Sequence, residues 1–203
     1  MAIGVKHFVK GRLKNNNYVV FDDKTKEAIL IDCSCADDEI MNWIKDKGLT
    51  LKFILLTHGH FDHVLGVNYY KKKYNIPAYL YEKDKALLGR VNEYMDMLGW
   101  SRVDTPEVQC FDLTQQFKLG KETIKVIATP GHTLGGVCYI IDGNLFSGDT
   151  LFHGACGRTD LIESDGAAMQ KSLATLFKQL PDETPVYPGH GATTTIGDER
   201  GLY

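Results

Sequence analysis

The sequence predicts an α/β domain of two sheets, each mixing parallel and antiparallel strands, with helices on the outside. Three observations carry this. Strand-like and helix-like patterns alternate through the first half of the chain. A run of short strand-like segments separated by turn residues follows. Residues 51–56 are nearly all apolar, the mark of a strand buried on both faces. The 203 residues suit one domain spanning 1–203, and 43% apolar with 24% charged residues is ordinary globular usage. That make-up excludes a disordered chain, a collagen-like repeat and a coiled coil.

Residues 3–8 and 18–21 read as strands, joined by a loop that holds the polar Asn15, Asn16 and Asn17. A third strand, 28–32, ends at Asp32. Over 37–47, Ile40, Trp43 and Ile44 recur at helical spacing, and Gly48 ends the helix. After the buried strand come a helix over 64–74, a short strand at 77–81 and a helix over 83–98. From residue 108 the texture is that of a meander, with strands at 108–111, 116–119, 123–128, 137–141 and 144–147. Asp142-Gly143 between the last two is a hairpin signal. A helix over 167–179 sets Met169, Leu173 and Leu176 on one side. Val186 and Tyr187 make a last strand, and the tail from 193 begins a short helix.

Lys and Arg number 23 against 26 Asp and Glu, so the formal charge of −3 offers no basic excess for nucleic acid. No apolar run reaches membrane-span length, and the first residues lack the basic-then-apolar pattern of a secretory signal. Cys33, Cys35, Cys110, Cys138 and Cys156 are odd in number and scattered, which argues against a disulfide framework. The expectation is a cytoplasmic protein, monomeric or a small homo-oligomer, with reduced thiols and no nucleic-acid or membrane partner. Cys33 and Cys35 form a C-x-C pair, read as two small residues at a strand end rather than a metal or redox pair. Lys71-Lys72-Lys73 reads as the solvated face of its helix.

The histidines carry the chemistry. His58, His60 and His63 fall within Thr57-His58-Gly59-His60-Phe61-Asp62-His63, directly after the buried strand. Two residues apart in an extended segment, His58 and His60 point the same way. Asp62 and His63 then fall at the turn into the next helix. Imidazole and carboxylate in this density suit zinc, iron or manganese. Pro130-Gly131-His132 and Pro188-Gly189-His190 each follow a strand. In both, Pro fixes the entry angle and Gly allows a close or left-handed backbone, so the His can turn inward. Asp149, in Ser147-Gly148-Asp149-Thr150, also ends a strand, and its two oxygens can bind separate metals. Counted together, His58, His60 and His132 serve one metal, Asp62, His63 and His190 another, and Asp149 is shared. Open positions and the lack of thiolates mark a catalytic rather than a structural arrangement.

These motifs resemble those of the metallo-β-lactamase-fold hydrolases. The likeness runs through Thr57–His63, Pro130-Gly131-His132-Thr133, Ser147-Gly148-Asp149-Thr150 and Pro188-Gly189-His190-Gly191. It implies an αββα four-layer sandwich with two metals, zinc being expected and iron or manganese alternatives, at one edge. Within that family the chain is most similar to short, single-domain glyoxalase II-like (hydroxyacylglutathione hydrolase-like) proteins. Gly154-Ala155-Cys156-Gly157-Arg158 and the run from Thr194 to Arg200 carry that closer likeness. The resemblance has three departures. The chain shows no counterpart of the C-terminal helical domain of long glyoxalase II enzymes, which supplies much of their glutathione contact. Gly191 follows the last ligand where those enzymes often have Tyr or Glu-Tyr, and the chain reads Asp32-Cys33-Ser34 where family members usually show Asp-Pro-Gly or Asp-Thr-Gly.

The resulting expectation is hydrolysis of a small acyl thioester or ester by a water activated between two metals, with Asp62 as ligand and orienter of that water. Arg158 is the candidate for gripping a substrate carboxylate; a salt bridge to Asp160 is the equal alternative. His153 could line the site or lie on the surface, and His7 reads as structural. The leading competitor is a persulfide dioxygenase holding one iron through His58, His132 and Asp149, a branch that shares Gly157-Arg158-Thr159-Asp160. The acidic balance counts against a nuclease, and the absent export signal against a β-lactamase. A lactonase of the same fold is a lesser alternative. A pure binding module would have little use for a full set of donors.

Overall fold

The computed structural model describes residues 3–203. One sheet is built from β1 (Ile3–Lys10), β2 (Asn15–Asp22), β3 (Glu27–Ile31), β4 (Thr50–Leu55), β5 (Ala78–Tyr81) and β6 (Gln109–Phe111), in that spatial order. Its first three strands pair antiparallel, and the rest add in parallel. The parallel steps need crossovers, which α1 (Asp38–Asp46), α2 (Phe61–Val64), α3 (Val67–Tyr74), α4 (Lys85–Gly89) and α5 (Val91–Met97) supply. Asp37 starts α1 by accepting from the Glu39 and Ile40 amides at 2.8 and 3.2 Å.

The second sheet contains β7 (Phe117–Leu119), β8 (Glu122–Ala128), β9 (Val137–Ile141) and β10 (Asn144–Gly148) as antiparallel neighbours. Asp142 and Gly143 both take positive φ, so the β9–β10 hairpin turns where the Asp-Gly signal placed it. The small hairpin β11 (Leu151–Phe152) and β12 (Ala155–Cys156) follows, then α6 (Gly166–Gln179). Strand β13 (Pro185–Pro188) joins β10 in parallel, β14 (Thr194–Thr195) joins β13 antiparallel, and α7 (Ile196–Glu199) closes the chain.

Side-chain alternation along the strands sorts the core into three slabs. Val19, Ala28 and Leu30 pack outward with Ile40 and Ile44 of α1 and Val67 and Tyr70 of α3. Their neighbours Tyr18, Val20, Ile29 and Ile31 face inward, against Phe117, Ile124, Tyr139 and Phe146 of the second sheet. On the far side Ile127, Cys138, Leu145 and Val186 meet Met169, Leu173 and Leu176 of α6. Helix, sheet, sheet and helix are thus stacked in the four layers expected of the family.

Four local expectations need correction. Asn15, Asn16 and Asn17 are not a loop: they open β2, pair with β1 as far as Lys10↔Asn15, and are fully buried. Asparagine is tolerated there because each amide nitrogen finds an acceptor: Asp62 Oδ2 for Asn15, the Pro188 and Gly191 carbonyls for Asn16, and Ser34 Oγ for Asn17. The helix over 64–74 begins earlier, at Phe61, and breaks at Leu65–Gly66, where the Gly66 amide donates to the Cys33 carbonyl at 2.8 Å. The helix over 83–98 is a 3-10 turn plus α4 and α5, separated at Gly89–Arg90, where glycine holds helix weakly. Residues 108–111 do not start the meander; β6 pairs in parallel with β5 in the other sheet.

Candidate metal centre

Segments leaving the ends of β4, β8, β10 and β13 meet at one edge of the sandwich. Main-chain bonds stitch them together: Val137 N–H to the Thr57 carbonyl at 2.9 Å, Gly189 N–H to Gly148 at 2.8 Å, and Asn16 N–H to Gly189 at 2.7 Å. Two glycines let the Pro-Gly-His turns close. Gly131 has φ +150°, and a Cβ there would fall 2.5 Å from the Met169 Cα in α6. A Cβ on Gly189 would strike Asp149 Oδ1 and lie 2.8 Å from His63 Cε1.

The edge brings all seven predicted donors together. His58, His60 and His132 offer nitrogens within 4.8 Å of one another, and so do the donor atoms of Asp62, His63 and His190. A third overlapping group is His58, His63 and Asp149. Asp149 lies between the first two: Oδ1 is 3.4 Å from His63 Nε2, and Oδ2 is 3.4 Å from His132 Nε2 and 3.7 Å from His190 Nε2.

Outer partners turn one nitrogen of four of the five rings toward the centre. Thr57 Oγ1 lies 3.0 Å from His58 Nδ1, Asp32 Oδ2 lies 2.8 Å from His63 Nδ1, and the Arg158 carbonyl lies 2.9 Å from His132 Nδ1. Glu163 Oε1 lies 2.8 Å from His60 Nε2. What remains inward is His58 Nε2, His60 Nδ1, His132 Nε2 and His63 Nε2. Among the described residues three buried side-chain atoms have no hydrogen-bond partner: His58 Nε2 and Asp149 Oδ1, both donor-set atoms, and Asn15 Oδ1. Unpartnered buried donors and acceptors are rare and point to an ion or water.

The electrostatics agree. Burial, then His63, His60 and His132 beside it, hold His58 well below the usual imidazole range, leaving a neutral lone pair. Burial works against a charged His63, yet Asp149, Asp62 and Asp32 outweigh it and push the ring up to about 10. Burial would also raise Asp62, but His63, His190 and Asn15 hold it far below the carboxylate range. The carboxylates around His63 thus favour positive charge at the centre, carried by its ring proton when no ion is bound, and the imidazole and carboxylate donors suit a divalent zinc, iron or manganese ion that would displace that proton.

Four residues important to the frame carried no local signal. Asn15 Nδ2 donates to Asp62 Oδ2 at 2.7 Å and sits 3.3 Å from His190 Nε2. Asn16 Nδ2 donates to the Pro188 and Gly191 carbonyls, both at 2.9 Å, on either side of His190. Buried Asp84 accepts from Gly59 N–H at 2.9 Å, Thr133 Oγ1 at 2.7 Å and Gly135 N–H at 2.6 Å, which ties the His60 loop to the His132 loop. Glu163, besides facing His60, accepts from Tyr94 Oη at 2.7 Å and Arg90 Nη1 at 3.2 Å. Asp32, read only as a strand end, has φ +55° and accepts from Thr57 N–H and Thr57 Oγ1 at 2.8 Å each.

A cleft of about 380 Å³ opens beside the centre, and His60, Asp62, His132, Asp149 and His190 line it. Arg158 lines it too, but its guanidinium forms a bidentate pair with Asp160 at 2.7 and 2.8 Å on the exposed surface. His153 is exposed and takes no part in the cleft lining. His7 packs on Tyr18 with Nε2 2.7 Å from Asn16 Oδ1, the structural place expected of it. Cys33 is buried in the outer core, and the five cysteines are unpaired. Among the described residues no helix is long and apolar enough to cross a membrane.

The sequence model of the metallo-beta-lactamase superfamily matches residues 11–190. The hydroxyacylglutathione hydrolase GloC of Haemophilus influenzae is 32% identical over 92% of this chain and 90% of its own. Among solved structures, TTHA1623 in a di-iron-bound form is 32% identical, with a TM-score of 0.86 over 98% of each chain. The BLEG-1 B3 metallo-beta-lactamase is 33% identical, with a TM-score of 0.84 over 97% of this chain and 96% of that one. Fold, donor motifs and relatives above 30% identity across nearly the whole length agree, and the chain belongs to the metallo-beta-lactamase superfamily.

Proposed function

We propose that the protein is a metal-dependent hydrolase of a small acyl thioester or ester. In this reading His58, His60 and His132 hold one divalent ion, Asp62, His63 and His190 hold a second, and Asp149 serves both. The observation that carries it is the unpartnered, inward-facing pair His58 Nε2 and Asp149 Oδ1 amid two converging donor groups. Bound there, divalent ions supply a water activated near neutral pH and polarise the acyl oxygen.

The chain's own residues prepare that chemistry. Asn15 holds the Asp62 carboxylate in one orientation beside the cleft, where it orients the attacking water. Asp32 and Glu163 fix the His63 and His60 rings, so the donors meet a substrate already in place. No serine or cysteine nucleophile is required. The full second donor group favours this reading over a dioxygenase that uses only His58, His132 and Asp149. Likeness to GloC supports a thioester, and likeness to the di-iron structure keeps iron beside zinc as the resident metal.

The test is a substrate panel on the metal-loaded protein: neutral thioesters, a hydroxyacyl-glutathione, a phenyl ester, a lactone and a chromogenic β-lactam. The proposal expects thioesters or esters to be cleaved fastest. Oxygen uptake with a persulfide, or cleavage of the β-lactam alone, would overturn it.

Arg158 has a place at the edge of this reading. Both members of the Arg158–Asp160 pair are exposed and screened by water, so a substrate carboxylate can take Arg158 from Asp160 at little cost. Arg158→Ala is therefore expected to raise KM several-fold for substrates with a distal carboxylate, with kcat nearly unchanged. Equal KM values for acidic and neutral substrates in wild type and variant would leave Arg158 with Asp160 alone.

A further inference from the structure

The cleft beside the candidate centre is lined by two unlike sets of residues. One is the donor set and Arg158. The other is Leu13, Phe61, Tyr94, Met97, Leu98 and Leu161. Phe61 lies between His60 and Asp62 in sequence, so the apolar side and the donors share one stretch of backbone. Phe61 stacks on Tyr94 with ring centres 5.1 Å apart and meets Trp100 edge-on at 5.9 Å, which holds the ring in place.

This side offers a ligand little polarity. The Tyr94 hydroxyl is spent on Glu163, leaving its ring to face the cleft. Arg158 is the one lysine or arginine in the lining; it belongs with the donor set and is paired with Asp160. Leu13, Met97 and Leu98 stand 45%, 75% and 45% exposed in a contiguous group next to the reacting centre. Apolar surface clustered in this way gains from being covered. A glutathione moiety, with two carboxylates and an ammonium, would find no matching set of charges on it.

We infer that one substituent flanking the scissile bond of the substrate is uncharged and apolar, roughly four carbons or longer, and packs on Phe61, Tyr94, Met97 and Leu98. The inference rests on the hydrolase reading for the word substrate; the apolar subsite itself stands on the lining alone.

Two measurements separate those parts. The first is binding of straight-chain methyl ketones from 2-butanone to 2-octanone, which carry a carbonyl but no cleavable bond. Binding is read from the Met97 methyl resonance in protein labelled at methionine methyls, assigned with Met97→Leu. Affinity is expected to rise about two- to fourfold per added methylene. The second is hydrolysis of two thioester series, one varying the acyl chain on a fixed neutral thiol and one varying the thiol on a fixed acetyl group. One of the series should gain about two- to fourfold in kcat/KM per methylene, and Leu98→Asp should flatten both the ketone trend and that series.

Cleavage without chain-length dependence in either series overturns the inference and leaves the hydrolase reading intact. So does a ketone series whose affinity is flat. Length-dependent ketone binding with no cleavage of any thioester supports the apolar subsite and counts against the hydrolase reading.

Discussion

Replacing Asp149 by alanine is expected to remove activity and bound metal together. Its two oxygens face different donor groups, Oδ1 toward His63 and Oδ2 toward His132 and His190. Among the described residues no other carboxylate reaches both. Without it, His58, His60 and His132 are left with no carboxylate among their donors, and of the two carboxylates in the proposed ligand set only Asp62 remains. Removal of a single preorganised charge-stabilising group costs roughly 10²–10³ in rate, and loss of the ion itself costs more. A fall in kcat/KM of about a thousandfold or greater is expected, with metal content dropping in parallel. His132→Ala should behave alike for the first group. Both are read by elemental analysis and turnover on one preparation. A metal-depleted Asp149→Ala protein with full turnover would defeat the account.

The largest expected effect on stability belongs to a residue that touches no donor atom. Asp84 is almost fully buried and accepts from two main-chain amides and a hydroxyl that lie on separate loops. Burial pushes its carboxyl up, while the Thr133 hydroxyl and the Gly59 and Gly135 amides pull it back toward the charged form. Asp84→Ala therefore strands three donors, each costing about 1–3 kcal/mol when left unpaired. The expected loss is roughly 3–5 kcal/mol, or about 10 °C in Tm for a chain of this length. Asp84→Asn keeps one acceptor oxygen and should fall between. A thermal melt within a degree of wild type for Asp84→Ala would show that the loops hold without it.

These two residues mark what could and could not be read from the chain. Asp149 was legible because its meaning is local: a carboxylate in Ser-Gly-Asp-Thr at a strand end, beside histidine motifs of the same kind. The layers were legible for the same reason, since alternation in 18–21 and 28–31 sorts the two faces of the sheet residue by residue. Asp84 was not, because its partners stand 25 to 51 positions away and nothing in Glu82-Lys83-Asp84 announces them. Asn15 and Asn16 misled outright. Asparagine favours turns, and only the approach of Asp62, 47 positions on, and of the β13 end, more than 170 positions on, gives their amide nitrogens partners inside a strand. Glu163 reaches His60 across 103 positions, and the helix break that brings Arg90 to it was hidden in a continuous helical pattern. Donors are written in short motifs, whereas the groups that aim them are set by tertiary structure.

The claim on which everything else depends is that the seven donors hold two divalent ions in one centre. The most direct test is elemental analysis of the protein as purified, after gel filtration in chelator-free buffer. The account predicts about two zinc, iron or manganese ions per chain, falling to less than one in Asp149→Ala. A single iron per chain that supports oxygen uptake, or no retained metal in a protein that still cleaves thioesters, would contradict it.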